Sequence, residues 1–276
     1  MNSSAPATHA AAETGAPIFT REGGPWLPDD YAAGPFRGLY GGAVAGLVAG
    51  AMEEHAVSEG WGTPLSATVL MLRPAPVAPL VTEITTLQAG RRNAVAECLL
   101  KDEAGKIISK GHAIFVKPDA MPGTRPLTAI PTATNWAGDP ATLPLWANGK
   151  RPEHVNFLHI LEMREERDAT GKPGMRWSRM TRPLLPFASL LATLFTAADN
   201  ASAFWLSSSG AWPANFGFPN VDVSVHVSRA PQGEWIGVTP DAQLHETGMG
   251  MSEGALYDRT GLVGRTCQTN ILVPRG

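Results

Sequence analysis

The chain has 276 residues, 43% of them hydrophobic and 17% charged, with a formal net charge of −3. That length allows one large domain or two of ordinary size, with enough apolar material for a substantial core. The slightly acidic balance offers no footprint for nucleic acid or an anionic membrane, and the only cysteines, Cys98 and Cys267, read as reduced thiols of a cytoplasmic protein.

Residues 1–16 are rich in Ala, Ser and Thr and lack a basic segment followed by an apolar core, so they are expected to be a disordered tail and not a secretory leader. Residues 17–117 read as a first unit. It opens with a short strand-like run at Ile18–Thr20 and a turn-rich GGPWLPDD. The run GLYGGAVAGLVAGAM then stays small and apolar from Leu39 to Met52 and stops at Glu53 and Glu54. Five glycines between Gly38 and Gly50 argue against an exposed helix, since each costs about 1 kcal/mol against Ala; they suit one on which another backbone packs closely. Strands follow at Ser66–Leu72 and Leu80–Gln88, then a hairpin over Ala94–Val116 turning at Asp102–Gly105. Residues 118–153 are proline-rich with little apolar periodicity, and are expected to be a connector running across a surface.

Residues 154–276 read as a second unit. Strand material at Val155–Glu166 turns through GKPG and returns as MRWSRM. The stretch from Pro183 to Ala198 carries no charge, and Leu190, Leu191, Leu194, Phe195 and Ala198 recur at helical period. This predicts a buried helix over Pro186–Trp205, with Pro186 in its first turn and a length too short for a membrane span. Strands then follow at Asn220–Arg229 and in EWIGVTPDAQLHE, and a last hairpin at Ser252–Val273.

The second unit repeats the first. An offset of 156 pairs Asp102 with Asp258, Leu100 with Leu256, Val69 with Val225 and Arg73 with Arg229. A period this long is a duplicated domain and not a solenoid repeat. The physical solution for each copy is a curved antiparallel sheet around one helix, two copies joining edge to edge.

No phosphate loop, GxSxG elbow or HExxH occurs, and the seven histidines show no ligand spacing, so neither metal nor cofactor is expected. Three polar residues of the second copy stand out. Asp199 closes the uncharged helix, where a carboxylate must be solvated, partnered or used. Asn220 opens the next strand, a position that ordinary turn chemistry also explains. Gln268 lies inside the last strand, which suits either an edge facing water or a buried amide needing partners.

FRGLYGGAVAGLVAGAM, PLSATVLMLRPAP and AGRRNAVAECLLKDEAGKIISKGHAIF, followed by FTAADN, NVDVSVHVSRAP, GEWIGV and ALYDRTGLVGRTCQTN, resemble the two halves of the acyl-CoA thioesterase II family. The resemblance spans roughly Gly34 to Val273 apart from the connector. It implies an α+β double hotdog fold and hydrolysis of a CoA or pantetheine thioester, with homo-oligomers common among such sheets. It also implies a triad of Asp, Thr and Gln holding the attacking water. Asp199 and Gln268 fall on the Asp and Gln; Asn220 stands where the family has Thr, bringing two donors and a different reach. Phe204, Trp205, Trp212, Phe216 and Phe218 lie between Asp199 and Asn220, and Trp205, Trp212, Phe216 and Phe218 are expected to line an acyl pocket. The alternatives are another reaction on CoA-linked substrates, such as hydration or acyl transfer, and a non-catalytic acyl-binding or scaffold protein. In the first copy the offset places His112 on Gln268 and Pro64 on Asn220, and brings Glu53 or Glu54 near Asp199, so one working site per chain is expected.

Overall fold

Ten antiparallel strands form one continuous sheet in the computed structural model, which describes residues 15–34, 38–117, 138–146, 154–167, 169, 173–209 and 216–274. Residues 1–14 of the expected tail over 1–16 and most of the connector over 118–153 lie outside the described residues. The first copy contributes the short strands β1 (Phe19–Thr20) and β2 (Leu27–Pro28), the helix α1 (Gly41–Ser58), and β3 (Thr63–Met71), β4 (Leu80–Ala89), β5 (Asn93–Asp102) and β6 (Ile107–Val116). The second contributes β7 (Leu161–Arg167), β8 (Pro173–Met180), the helices α2 (Leu190–Ala198) and α3 (Ala201–Ser209), β9 (Phe216–Gly217), β10 (Asn220–Val227), β11 (Ile236–Leu244), β12 (Met249–Asp258), β13 (Gly261–Ile271) and β14 (Val273–Pro274).

The strand order β4-β5-β6-β3-β10-β13-β12-β11-β8-β7 reads as one motif followed by its mirror-ordered copy. The join is β3 against β10, where Thr68 stands opposite Ser224 and their hydroxyls bond at 2.9 Å. Those two residues differ by 156, so the repeat offset read from the sequence is also the register of a pseudo-twofold axis through the middle of the sheet (224 − 68 = 156). Fusing the two sheets here removes one free edge from each copy.

Every residue of α1 from Gly42 to Met52 is buried, as a helix lying between a sheet and a second helix must be. The second helix is α2, running the opposite way, with Gly41 and Gly42 beside Asp199 and Gly50 beside Ala192 and Ser189. A Cβ at Gly46 would lie 2.6 Å from Leu184 Cδ2, and one at Gly50 would collide with Leu185. The glycines therefore admit the segment before α2 into the groove between the helices.

The uncharged stretch is two helices where the periodicity reads one. Pro186 is in the preceding loop; the chain enters α2 through Ser189, whose hydroxyl accepts from Ala192 N at 3.0 Å. Glu53 reinforces this start, accepting from Ser189 Oγ at 2.5 Å and Leu191 N at 2.9 Å. A serine cap and a carboxylate at the positive helix end outweigh proline's preference for the first turn. The helix then breaks at Asp199–Asn200 before α3 resumes.

On the far side, Arg176 of β8 is 1% exposed and bonds Glu165 of β7, Phe204 O and Ser207, with the rings of Trp146 and Phe204 at 5.2 and 5.3 Å. This cluster anchors α3 to the outer hairpin. No described helix is long and apolar enough to cross a membrane.

Candidate active site

The break between α2 and α3 sets a carboxylate against the start of α1. Asp199 is 9% exposed. Its neighbours across the helix pair, Gly41 and Gly42, have no side chains: a Cβ at Gly41 would stand 3.0 Å from Asp199 Oδ1, and one at Gly42 would stand 3.1 Å from Asp199 Cβ. The glycines thus let the carboxylate approach the backbone, and Gly42 N–H donates to it. From β10, Asn220 Nδ2 donates to Asp199 Oδ1 at 2.7 Å and to its carbonyl oxygen at 3.0 Å. Burial pushes the Asp199 carboxyl up to about 6, against the downward pull of Asn220 and Gly42.

Gln268 on β13 reaches the same helix end. It is 1% exposed, its Nε2 donates to Ala198 O, and its Oε1 accepts from Ser252 Oγ of β12 at 3.3 Å. The three polar residues singled out in the second copy therefore converge on the last turn of α2, Asp199 and Asn220 by direct bonds and Gln268 through the adjoining carbonyl. The reading of Gln268 as an edge-strand amide in water is excluded, because β13 lies between β10 and β12.

Sequence reasoning missed part of the network. Asn270, two residues past Gln268 on the same inward face, donates to Asn220 Oδ1 at 2.5 Å, and its oxygen shares with Gln268 Oε1 the single proton of Ser252 Oγ, 3.1 Å away. Ser202 of α3 bonds Asn220 Oδ1 at 3.3 Å. Tyr40, capping α1 from the first copy, donates to Asn200 Oδ1 at 2.5 Å and stacks on Phe157 with centroids 4.6 Å apart. Burial and the nearby Asp199 charge hold the Tyr40 phenol well above its usual range. The alternation that turns Gln268 inward also turns Asn270 inward, and that was the available signal for it.

The first copy differs from the sequence-based alignment. Between Lys101 and Ile107 the first hairpin turn has the five residues Asp102–Lys106; between Tyr257 and Leu262 the second has the four residues Asp258–Gly261. One residue fewer shifts the offset from 156 to 155 beyond the turn. Ala67 pairs with Ala113 where its mate Val223 pairs with Gln268, so Ala113 holds the counterpart position. His112 is exposed on the outer face, like Cys267. Pro64 does correspond to Asn220, each preceding a bulge in its strand. Glu53 is the carboxylate at the start of the opposite helix, as Asp199 is, whereas Glu54 pairs with Arg21. The first copy thus offers Glu53, Pro64 and Ala113 where the second has Asp199, Asn220 and Gln268. His112→Ala is expected to leave turnover at the parental value, read as thiol release.

Of the aromatic residues, Phe204 is fully buried beside Arg176. Trp205, Phe216 and Phe218 are half-buried, and Trp212 lies outside the described residues. A separate cleft of about 410 Å³ runs beside α2, lined by Leu161, Met180, Phe187, Ala197 and Ile236 among others, and stops short of Asp199.

Two helix-on-sheet units joined through β3 and β10, with one polar site at a helix end, make a double hotdog, the fold class expected from the sequence. The chain matches the acyl-CoA thioesterase N-terminal domain over residues 28–116 and the acyl-CoA thioesterase C-terminal domain over residues 131–272. It belongs to the acyl-CoA thioesterase family and is a thioester hydrolase. Among solved structures it is similar to a candidate thioesterase from Novosphingobium aromaticivorans, with TM-score 0.70 and 19% identity over 94% of this chain and 99% of that one. A hot dog fold protein of unknown function from Alicyclobacillus acidocaldarius matches with TM-score 0.66 and 19% identity, covering 94% and 96%. An acyl-CoA thioesterase II from Mycobacterium marinum matches with TM-score 0.61 and 16% identity, covering 87% and 91%. At these identities the likeness is one of fold. No curated protein matches the chain.

Proposed function

We propose that the chain hydrolyses an acyl-CoA or acyl-pantetheine thioester by a water activated at Asp199, with Gln268 and Asn220 orienting it and without metal or cofactor. The observation that carries this reading is the buried carboxylate at the junction of two helices, held by Asn220 and raised to about 6. Such a base is ionised at neutral pH yet basic enough to take a proton from water as the oxygen attacks the carbonyl carbon. The carbonyl oxygen gains the charge, and the positive end of α1 beside Asp199 favours it. Collapse of the tetrahedral intermediate breaks the carbon–sulfur bond and releases the thiolate. Trp205, Phe216 and Phe218 line the acyl group in this reading. The same reading places the enzyme in lipid metabolism, in the cytoplasm and as a homo-oligomer.

The test is thiol release from a panel of acyl-CoA esters, with product masses determined. The reading predicts free acid and CoA. Hydrated or transferred acyl products, or no turnover on any ester, would count against it. The pH dependence is a second check. kcat/KM should fall on the acid side with an apparent pKa near 6, since protonated Asp199 cannot accept the proton.

A further inference from the structure

The hydrogen-bond polarity around Asp199 is fixed by chemistry. Asp199 O and Oδ1 are both acceptors, so the end of the Asn220 side chain facing them is its nitrogen. Asn220 Oδ1 then faces away, toward Ser202 Oγ and Asn270. Asn270 must present its own nitrogen there, which leaves its oxygen toward the Ser252 hydroxyl. Reversing the Asn220 amide would set NH2 against NH2. Asn270 is 1% exposed, and Gly250 opposite it makes the room: a Cβ at Gly250 would lie 3.0 Å from Asn270 Cβ.

We propose that Asn270 is a positioning residue that locks the Asn220 amide with its nitrogen on Asp199 and so favours the ionised carboxylate over the protonated one. With the amide locked, a protonated Asp199 meets a donor at Oδ1. With Asn270 gone, the Asp199 main-chain carbonyl still calls for the nitrogen, the Ser202 hydroxyl suits either end, and turning the Asn220 oxygen round to accept the carboxyl proton costs that one carbonyl bond. The lock therefore keeps Asp199 from rising as far as its burial would take it. Among the described residues, Tyr40 at the start of α1 is the titratable group facing Asp199, and its phenol stays protonated. The network side chains from α3, β10, β12 and β13, namely Ser202, Asn220, Ser252, Gln268 and Asn270, are neutral.

The catalytic consequence rests on the thioesterase reading, but the lock does not. The experiment uses the full chain as parent, Asn270→Leu and Asn270→Met, both uncharged and without a donor. The first readout is the ratio of kcat/KM at pH 8 to that at pH 6. It should rise from about 2 in the parent to about 10 or more in the variants, as a one-unit upward move of a single ionisation from near 6 requires. The second is the Asp199 carboxyl midpoint followed by carbon NMR without substrate, which should rise alike and needs no turnover. A midpoint that rises while the parent hydrolyses no acyl-CoA supports the lock and removes the thioesterase reading. A midpoint and ratio unchanged in either folded variant, with only a lower plateau, would overturn the proposal and leave Asn270 a packing residue.

Discussion

Replacing Asp199 by Asn is expected to lower kcat/KM for the best acyl-CoA by roughly 10²-fold or more, the scale for losing a general base, in a chain that still folds. Asn keeps the shape and a carbonyl acceptor for Asn220, so the loss reports proton transfer more than structure. Stability gives an independent signature. The folded Asp199 carboxyl, near 6, stands above its ordinary 3.8. Between those values the folded chain holds a proton that the unfolded chain has released. The neutral carboxyl's contribution is therefore complete below about pH 4 and is lost as pH rises through about 6. The variant lacks this term, so its melting midpoint minus the parent's should grow from pH 4 to pH 7. A constant difference would mean that Asp199 titrates like an exposed carboxylate. Gln268→Ala should lower turnover in the same direction, by releasing Ala198 O and Ser252.

The largest effect on stability is expected away from the site, at Glu165→Ala. Arg176 is 1% exposed and Glu165 2%; one carboxylate oxygen of Glu165 pairs with Arg176 inside the core and the other with Arg167, whose side chain is half-exposed. Burial lowers the Arg176 pKa against the support of Glu165, which leaves a guanidinium still charged at neutral pH. Removing Glu165 strands that charge, at a cost of about 3–5 kcal/mol, or roughly 10 °C in melting midpoint for a chain of this class. Replacing both partners by apolar residues of similar volume should recover much of the loss, because the pair's desolvation disappears with it. If Glu165→Ala melts within 2 °C of the parent, by ~0.5–1 kcal/mol on the same scale, the pair is not the anchor of α3 that its geometry indicates.

Periodicity and self-comparison made most of the architecture legible. Strand runs bounded by turn residues located the central hairpins, and the constant offset of 156 anticipated the duplication; which strands join, and that Thr68 faces Ser224 there, came only with the structure. Composition could not divide α2 from α3, because Ala, Phe, Leu and Ser continue the apolar pattern straight through the break at Asp199–Asn200. Nor could it show that Ser189, with Glu53 brought to it across the helix pair, would start α2 three residues beyond Pro186. The placement of His112 failed for a local reason: a turn one residue shorter moves each later side chain to the other face of the strand. Asp199, Asn220 and Gln268 were legible because each is a polar group in an apolar or small-residue context. Asn270 was not singled out, since its role depends on Asn220, 50 residues earlier in the chain.

Asp199 as base and water as nucleophile is the claim on which the account turns, and a single turnover in H2(18)O tests it most directly. With enzyme in excess over acyl-CoA, the acid released in the first turnover should carry one labelled oxygen and the protein none. An unlabelled first-turnover acid, with the label recovered on the Asp199 carboxylate, would make Asp199 a covalent nucleophile and contradict it.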